Sequence, residues 1–264
     1  MSRMSDGSPS RTRVTVMVVS FARVHALPAL LEALAAQRFA GEIDCIVWNN
    51  NMRDAGIVDH VLSQAPASLT VQAIHSSRNH YCLVRLAAAV LAIGELVLFC
   101  DDDVVPGPGY VARLVDRFSA LSSDTSFPVA VSACGHRFDP DLVGQASAED
   151  VWDSRVGLHF YDEHATQVDL HFMHANSMLL SRETLLRIAA RPIPDPVFHL
   201  VDDYWISFVL SHEMGARLVK VPMGDQMRFT ESAYDPAVAL HLRPEVRKAR
   251  LRMFDFHRRL GWPA

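Results

Sequence analysis

The sequence predicts an α/β protein with a mixed, mainly parallel sheet flanked by helices. Continuously apolar, β-branched runs such as VTVMVVSF (14–21) are typical of strands that are buried on both faces. Helical patterns such as ALPALLEALAAQ (26–37) alternate with these runs, as they do in open parallel sheets. The composition, 50% hydrophobic and 21% charged, is that of a globular chain able to bury a substantial core.

The elements of the first half follow in order along the chain. Strands are expected at 14–21, 43–51, 69–77, 95–100 and 128–134. Helices are expected at 26–37, at 83–94, where Gly94 ends the pattern, and at 110–121. Between the second and third strands the sequence predicts only a polar loop.

The second half is less regular. Residues 135–170 predict a loop-rich, acidic excursion, and residues 171–190 predict a strand and a helix. Three prolines make 191–200 a loop, and a helix is expected from the acidic pair of VDDYWISFVLSHEMG to Gly215, with a strand after it. The stretch 243–259 carries seven basic residues against two acids, which predicts a solvated helix face or, as an alternative, contact with a membrane surface.

Charge and hydropathy exclude several classes of protein. The net charge of −5 argues against a general nucleic-acid binder, and no uncharged apolar stretch is long enough for a membrane span. The first residues, MSRMSDGSPSRTR, lack the apolar core of a secretory signal, so 1–12 is expected to be a disordered leader of a cytoplasmic protein. The four cysteines form no C-x-x-C pair and are expected to be buried thiols.

Polar residues collect where the predicted strands end, which is where open α/β sheets bind ligands. They are Ser20, Phe21 and Arg23 after the first strand, Asn49 to Asn51 after the second, Arg78 and Asn79 after the third, and Asp101, Asp102 and Asp103 after the fourth. Three adjacent carboxylates repel one another and need a cation, a proton or full exposure to solvent. Their oxygens suit Mg²⁺ or Mn²⁺, while the alternative is a solvated acidic turn.

Five motifs in order carry a resemblance to known proteins. SFAR-x4-PALLEALAAQ is similar to the opening of family 2 glycosyltransferases, and IVWNNN resembles the V-W-N-N strand end of the exostosin-like family. ELVLFCDDDVVP matches the D-x-D motif of both families, HANSMLLSRE resembles the acceptor-side strand, and VDDYWISFVL resembles the E-D-x-x-(L/I) helix start. Over about residues 14–222 the chain therefore resembles a GT-A fold glycosyltransferase, a Rossmann-like fold of nucleotide-diphospho-sugar transferases.

The resemblance implies roles for the residues that match its motifs. Asp101 would contact the nucleoside and, together with Asp103, coordinate Mn²⁺ or Mg²⁺, with Asp102 assisting either role. Ser20, Phe21 and Arg23 would line the nucleobase side, Asn50 would lie close to the ribose, and Arg85 would contact the donor. Arg78 would also belong to the nucleotide-sugar site. Asp203 would be the general base with Asp202 in support, His174 would line the acceptor site, and His241 would be a third metal ligand.

The implied enzyme is a metal-dependent transferase that moves a sugar from a nucleoside-diphosphate sugar, most often a UDP-sugar, to an acceptor hydroxyl. Residues 13–264 would form one catalytic domain, with a nucleotide-sugar half (13–134), an acceptor half (135–242) and a basic C-terminal helix (243–264). Inversion and retention of configuration are both open, because family 2 enzymes invert and exostosin-like enzymes retain.

Two alternatives come from other classes. A haloacid-dehalogenase-like phosphatase also carries D-x-D on a strand end, but on its first strand. A non-catalytic nucleotide-sugar-binding protein of the same fold would carry the same acidic motifs. A nucleotidyltransferase is disfavoured, because SFARVHALP has no glycine-rich loop.

Overall fold

The computed structural model describes residues 11–164 and 167–263. The predicted leader falls largely on residues 1–10, which lie outside the described residues. The strands are β1 (Arg13–Ser20), β2 (Glu42–Asn49), β3 (Thr70–His75), β4 (Leu96–Asp101), β5 (Val104–Pro106), β6 (Val129–Ser132), β7 (Gly135–Arg137), β8 (Val156–Leu158), β9 (Phe172–Met173), β10 (Leu179–Ser181), β11 (Arg217–Lys220) and β12 (Met227–Phe229). The α-helices are α1 (Leu27–Ala35), α2 (Ala55–Ser63), α3 (Ala88–Leu91), α4 (Tyr110–Ser123), α5 (Pro140–Val143), α6 (Ala148–Asp153), α7 (Arg182–Ala189), α8 (Asp202–Phe208) and α9 (Pro244–Arg258).

A seven-stranded sheet forms the centre of the molecule, in the order β11-β6-β10-β4-β1-β2-β3. Adjacent strands of the sheet are parallel, except that β10 runs antiparallel to both β4 and β6. Strands β2 and β3 follow on one side of β1, and β4 pairs with β1 on its other side. This reversal between β1 and β4 is the switch point at which doubly wound sheets bind nucleotides. The predicted mixed, mainly parallel sheet is confirmed.

Apolar layers cover both faces of the sheet. Val14, Val16 and Val18 of β1 pack with α1 and α4 on one face, while Met17 joins the other face. That second layer extends through Phe172 to Phe254 of α9, so all three predicted parts of the domain contribute to the buried core. No helix among the described residues is long and apolar enough to cross a membrane.

Several elements differ from the sequence-based expectations. The loop expected between the second and third strands contains α2, and the helix expected at 83–94 consists of 3₁₀ turns over Tyr81–Ala87 followed by the short α3. The segment 135–170 is more ordered than expected: it contains α5, α6 and two strands of a small sheet ordered β8-β7-β9. The helix that opens at the acidic pair continues past α8 as a π-helical turn over Val209–Glu213, and Gly215 follows with a φ of +62°.

Candidate functional site

The ends of the central strands bring the predicted polar residues to one edge of the sheet. In the register of β1, Ser20 lies beside Asn49 of β2, and Val19 lies beside Asp101 of β4. The backbone NH of Asn50 donates to the carbonyl of Ser20 at 2.8 Å, and the NH of Ser76 donates to that of Asn49 at 2.9 Å. The strand ends are therefore level, as the predicted crevice requires.

The three aspartates meet a guanidinium group rather than bulk solvent. Asp102 and Asp103 are buried, and Arg23 holds both, with Nη1 at 3.0 Å from Oδ1 of Asp102 and 3.1 Å from Oδ2 of Asp103. Arg23 also donates to the carbonyl of Ser232 at 3.1 Å, which ties a C-terminal loop to the acidic turn. Arg23, predicted to lie at the nucleobase side, thus directs its guanidinium at the aspartates and supplies part of the cationic charge that they need.

Arg85 connects the aspartate turn to the second acidic pair. It is buried, and its Nη1 donates to both carboxylate oxygens of Asp202, at 3.0 and 2.9 Å, while its Nη2 donates to Asp101. One planar guanidinium therefore fixes the end of β4 relative to the start of α8. The prediction that Arg85 contacts the donor stays a prediction, but the structure excludes a surface helix arginine.

Asp203 has the properties of a general base. It lies one residue beyond the buried Asp202, is itself half-buried, and accepts a hydrogen bond from the NH of Tyr204 at 3.0 Å through its Oδ1. Burial and the charge of Asp202 raise its pKa to about 7, against the opposing charges of Arg250 and Arg85. A carboxylate with a pKa near 7 is matched to accepting a proton at neutral pH. Asp202 serves a different purpose, because both of its oxygens are engaged by Arg85.

The aspartate turn offers hard oxygen ligands in the number that a Mg²⁺- or Mn²⁺-diphosphate site uses. Burial and the charge of Asp101 raise the pKa of Asp103 to about 7, which indicates that added positive charge would stabilise its ionised form. Within the described parts of the chain, no three His, Cys, Asp or Glu side chains converge as a complete metal cage. One or two carboxylates with phosphate oxygens suffice for such an ion, so Asp101 and Asp103 fit the predicted metal.

The residues predicted on the nucleotide side have different environments. Burial raises the pKa of Asp102 to about 6, and a hydrogen bond from the buried Ser20 opposes this rise. Phe21 and Arg78 are exposed at the rim of the site. Asn50 is buried and holds the loop after β3: its side chain donates to the carbonyl of Tyr81 at 2.9 Å and accepts from the NH of His80 at 3.2 Å. The structure thus gives Asn50 a scaffolding role, and its predicted ribose contact stays a prediction.

Tyr81 is a candidate residue that sequence reasoning missed. Its φ is +55°, a left-handed conformation that is costly for a residue other than glycine, and its side chain is 38% exposed. Asn79 and Asn50 hold this conformation, through a 2.7 Å bond to the Tyr81 NH and the bond to its carbonyl. Strained backbone of this kind concentrates at ligand sites. The sequence shows both asparagines, but it does not show the positive φ of Tyr81, which only the structure reveals.

The two predicted histidines differ in their surroundings. His174 is paired with His136 of β7, with their Nε2 atoms 2.9 Å apart, and burial lowers the pKa of His174 to about 3. His241 is exposed as a whole residue, but its ring is partly desolvated. This desolvation and the charges of Arg250 and Arg23 lower the pKa of His241, while the charge of Asp101 opposes the shift. It therefore lies within electrostatic range of the aspartate turn, and its role as a metal ligand stays a prediction.

A doubly wound sheet whose switch point carries clustered aspartates, facing a second acid pair on a neighbouring helix, is the architecture of a GT-A glycosyltransferase. The sequence pattern of the family described as Glycosyl transferase family 2 matches residues 15–188. Since the match covers more than half of the chain, the chain belongs to glycosyl transferase family 2. The match ends before Asp202 and Asp203, so their assignment depends on the geometry.

A solved structure shares the fold. The mannosyltransferase PcManGT from Pyrobaculum calidifontis, described in complex with GDP-Man and Mn²⁺, aligns with a TM-score of 0.51 and 16% identity over 81% of this chain and 56% of that one. TarS of S. aureus aligns with a TM-score of 0.46 and 16% identity over 79% of this chain and 35% of that one. The chain thus spans about half or less of the length of these two proteins. A search of curated proteins finds no match.

Proposed function

We propose that this chain transfers a sugar from a nucleoside-diphosphate sugar to an acceptor hydroxyl, with inversion of configuration. The observation that carries the proposal is the buried bridge from Asp101 through Arg85 to Asp202, which sets the donor-side aspartates at a fixed position relative to Asp203. Membership of family 2 supports inversion over the retaining route. Family membership also argues against a haloacid-dehalogenase-like phosphatase. Such a phosphatase carries its D-x-D motif on the first strand, whereas the aspartates of this chain follow β4.

In this proposal Asp203 removes the proton from the acceptor hydroxyl as its oxygen forms the new bond to the anomeric carbon of the sugar. The bond between that carbon and the diphosphate breaks, and the bonding electrons leave with the diphosphate. Asp101 and Asp103 would hold Mn²⁺ or Mg²⁺, whose chemistry when bound is to neutralise the charge of the leaving group. Arg85 keeps Asp101 and α8 in register throughout.

The donor nucleotide is proposed to be UDP, with GDP and dTDP as the alternatives to test. Isothermal titration of each nucleotide, with and without Mn²⁺, is expected to give metal-dependent binding of one of them to the wild type. Asp103→Ala is expected to lose at least tenfold in affinity, while Asp116→Ala, at an exposed site on α4, serves as the matched control. Absence of binding for every nucleotide would contradict the proposal.

Turnover separates an enzyme from a binding protein. Release of the nucleoside diphosphate from a sugar nucleotide is expected for the wild type and is expected to be lost in Asp203→Asn, which should still bind nucleotide. Metal-dependent binding without turnover for any sugar nucleotide and acceptor would instead support the non-catalytic binder.

A further inference from the structure

Basic side chains from three separate segments lie around Trp152 and Tyr204, outside the acidic turn. The guanidinium carbon of Arg155 lies 3.9 Å from the centre of the Trp152 ring, and that ring lies 5.3 Å from the ring of Tyr204, the neighbour of Asp203. Arg250 comes from α9, and its charge opposes the rise in the pKa of Asp203. Burial is the largest cause of the lowered pKa of His174, and the charges of Arg250 and Arg155 lower it further. We call Arg155, Arg250, His136 and Tyr204 the basic subsite.

The arginines of the basic subsite differ from those of the aspartate turn in what they bind. Arg23 and Arg85 each hold two carboxylates. Among the described residues, Arg155 and Arg250 form no ion pair with any acid, and the hydrogen bond that Arg155 makes is to the carbonyl of Trp152, at 2.6 Å. In the part of the chain that the structure describes, neither of these two partly buried guanidinium groups therefore lies within 4.0 Å of a carboxylate oxygen.

Several donors of the basic subsite are also without acceptors. The Nε atoms of Arg155 and Arg250, the hydroxyl of Tyr204 and Nδ1 of His136 are buried and have no hydrogen-bond partner among residues 11–164 and 167–263. Tyr204 as a whole is fully buried. Buried donors without partners are costly, and buried cations without counter-ions are more so. A ligand that brings several acceptor oxygens and negative charge would satisfy all of these groups together.

A glycine lies beside two imidazoles of this region. A Cβ atom placed on Gly157 of β8 would stand 3.6 Å from Nε2 of His159 and 3.7 Å from Nδ1 of His136. Gly157 thus lies between two ring nitrogens that can each donate or accept a hydrogen bond. The absence of a side chain there leaves room beside the unpartnered nitrogen of His136.

We propose that the acceptor carries a phosphate monoester group, which binds at the basic subsite while its hydroxyl meets Asp203. Two guanidinium groups match the charge of about −2 on such a phosphate, and its three oxygens can accept from arginine, tyrosine and histidine donors together. A single carboxylate would leave one positive charge uncompensated. This inference rests on the proposed function, since it assigns a substrate class to the same site.

The first test measures binding of inorganic phosphate and glycerol 3-phosphate to the full-length chain by isothermal titration. Saturable binding is expected for the wild type, with at least a tenfold loss of affinity in Arg155→Gln and in Arg250→Gln. Arg155→Lys, which keeps the charge, is expected to recover part of the loss. Arg252→Gln is the matched control, because Arg252 lies on the same helix as Arg250, is exposed and pairs with Asp195.

The same protein is then titrated with acetate and with the nucleoside diphosphate plus Mn²⁺. Equal affinity for acetate and phosphate, no phosphate binding, or unchanged binding in both glutamine variants would overturn the proposal. Displacement of phosphate by the nucleotide would also overturn it, because the basic subsite would then belong to the donor.

The two proposals fail in distinguishable ways. If the nucleotide binds and phosphate does not, the phosphorylated acceptor is wrong and the transferase stands. If no nucleotide binds, the transferase proposal fails, whatever phosphate does. Thermal unfolding of each variant, followed by circular dichroism, ensures that any lost affinity is read on folded protein.

Discussion

Arg85 is the side chain that connects the aspartate turn to the start of α8. Its guanidinium satisfies Asp202 with two hydrogen bonds and Asp101 with a third. Asp202 is 2% exposed, so water contributes little to the stabilisation of its charge. Removing one partner of a buried ion pair leaves the other charge uncompensated, which costs more than the pair itself contributes.

Arg85→Ala is therefore expected to lower the free energy of unfolding by about 3–5 kcal/mol. Arg85→Lys is expected to lie between this variant and the wild type, because lysine keeps the charge but lacks the planar pair of donors. Urea denaturation measures both effects. Arg78→Ala, at an exposed position of the rim, is the control and should change stability by less than about 0.5 kcal/mol. An Arg85→Ala variant as stable as this control would contradict the bridging role.

Asp203 predicts a pH dependence of activity. Its pKa is raised to about 7 by burial and by Asp202, and the base must be ionised to accept a proton. We expect kcat/KM to fall as pH drops through about 7, approaching a tenfold loss per pH unit below it. Asp203→Asn is expected to lower activity by about 10²- to 10⁴-fold and to lose this limb of the profile. A wild-type profile that stays flat down to pH 5 would exclude Asp203 as the base.

The same shift affects stability in the opposite direction to activity. Between the ordinary value of 3.8 and about 7, the folded state holds a proton on Asp203 that the unfolded state has lost. The contribution of Asp203 to stability therefore decreases as pH rises through this window. Asp203→Asn should consequently unfold at a higher temperature than the wild type at pH 8, and the difference should shrink towards pH 4.

At the scale of elements, Gly94 illustrates how a local pattern can be interpreted wrongly. The sequence suggested that it ends a helix, but α3 ends at Leu91 and Gly94 instead lies against β1. Its NH donates to Oγ1 of Thr15 at 2.9 Å, and a Cβ atom there would stand 2.7 Å from the carbonyl oxygen of Arg13. The glycine is required because β1 approaches the start of β4, the strand that carries the aspartates.

Gly94→Ala is accordingly expected to destabilise the fold by about 1–3 kcal/mol, since the clash involves backbone that cannot move without separating two central strands. Gly56→Ala is the matched control. Gly56 lies in α2 with open space around its Cβ position, so alanine there should raise stability by up to about 1 kcal/mol. Chemical denaturation of both variants checks the pair. Equal effects would show that close approach does not determine the cost at Gly94.

The helix that sequence reasoning missed has a similarly specific cause. Val58 is the one residue of α2 that is buried, so AGIVDHVLS lacks the broad apolar stripe by which amphipathic helices are recognised. Conversely, 83–94 has a strong apolar pattern, yet much of it forms 3₁₀ turns that bring Arg85 inward to the carboxylates. Periodicity identified the central strands well, because their burial on both faces leaves a continuous apolar run.

At the scale of the whole molecule, the aspartate turn could be predicted and the basic subsite could not. Asp101 to Asp103 are consecutive and follow an apolar strand, so one short stretch of sequence reveals them. Arg155 and Arg250 lie 95 positions apart, one after a short helix and one on α9, and neither belongs to a motif. Arg23 pairs with Asp102 and Asp103, whereas Arg85 pairs with Asp101. This arrangement likewise depends on tertiary packing, which residue spacing alone does not predict.

The C-terminal helix α9 contributes to the main core of the domain. Its basic composition allowed a membrane contact, but one face of α9 is packed against α6 and the turn at Pro196–Leu200. Val246, Met253 and Phe254 are buried in the main core together with Trp262. Beside this contact Arg247 pairs with Glu149 and Asp153 of α6, so part of the positive charge is compensated within the chain.

We therefore expect a chain that ends at residue 242 to lose its fold. Each large apolar side chain that is no longer buried forfeits about 1.5–3 kcal/mol, and four of them together approach the whole stability of a typical domain. Near-ultraviolet circular dichroism and urea titration should show no cooperative transition for the truncated chain. The charge-only control, Arg247→Gln with Lys248→Gln, should stay folded. If the truncated chain instead unfolded cooperatively and lost only its binding to phosphatidylserine vesicles, α9 would be a detachable membrane contact, and its place in the core would contribute little to stability.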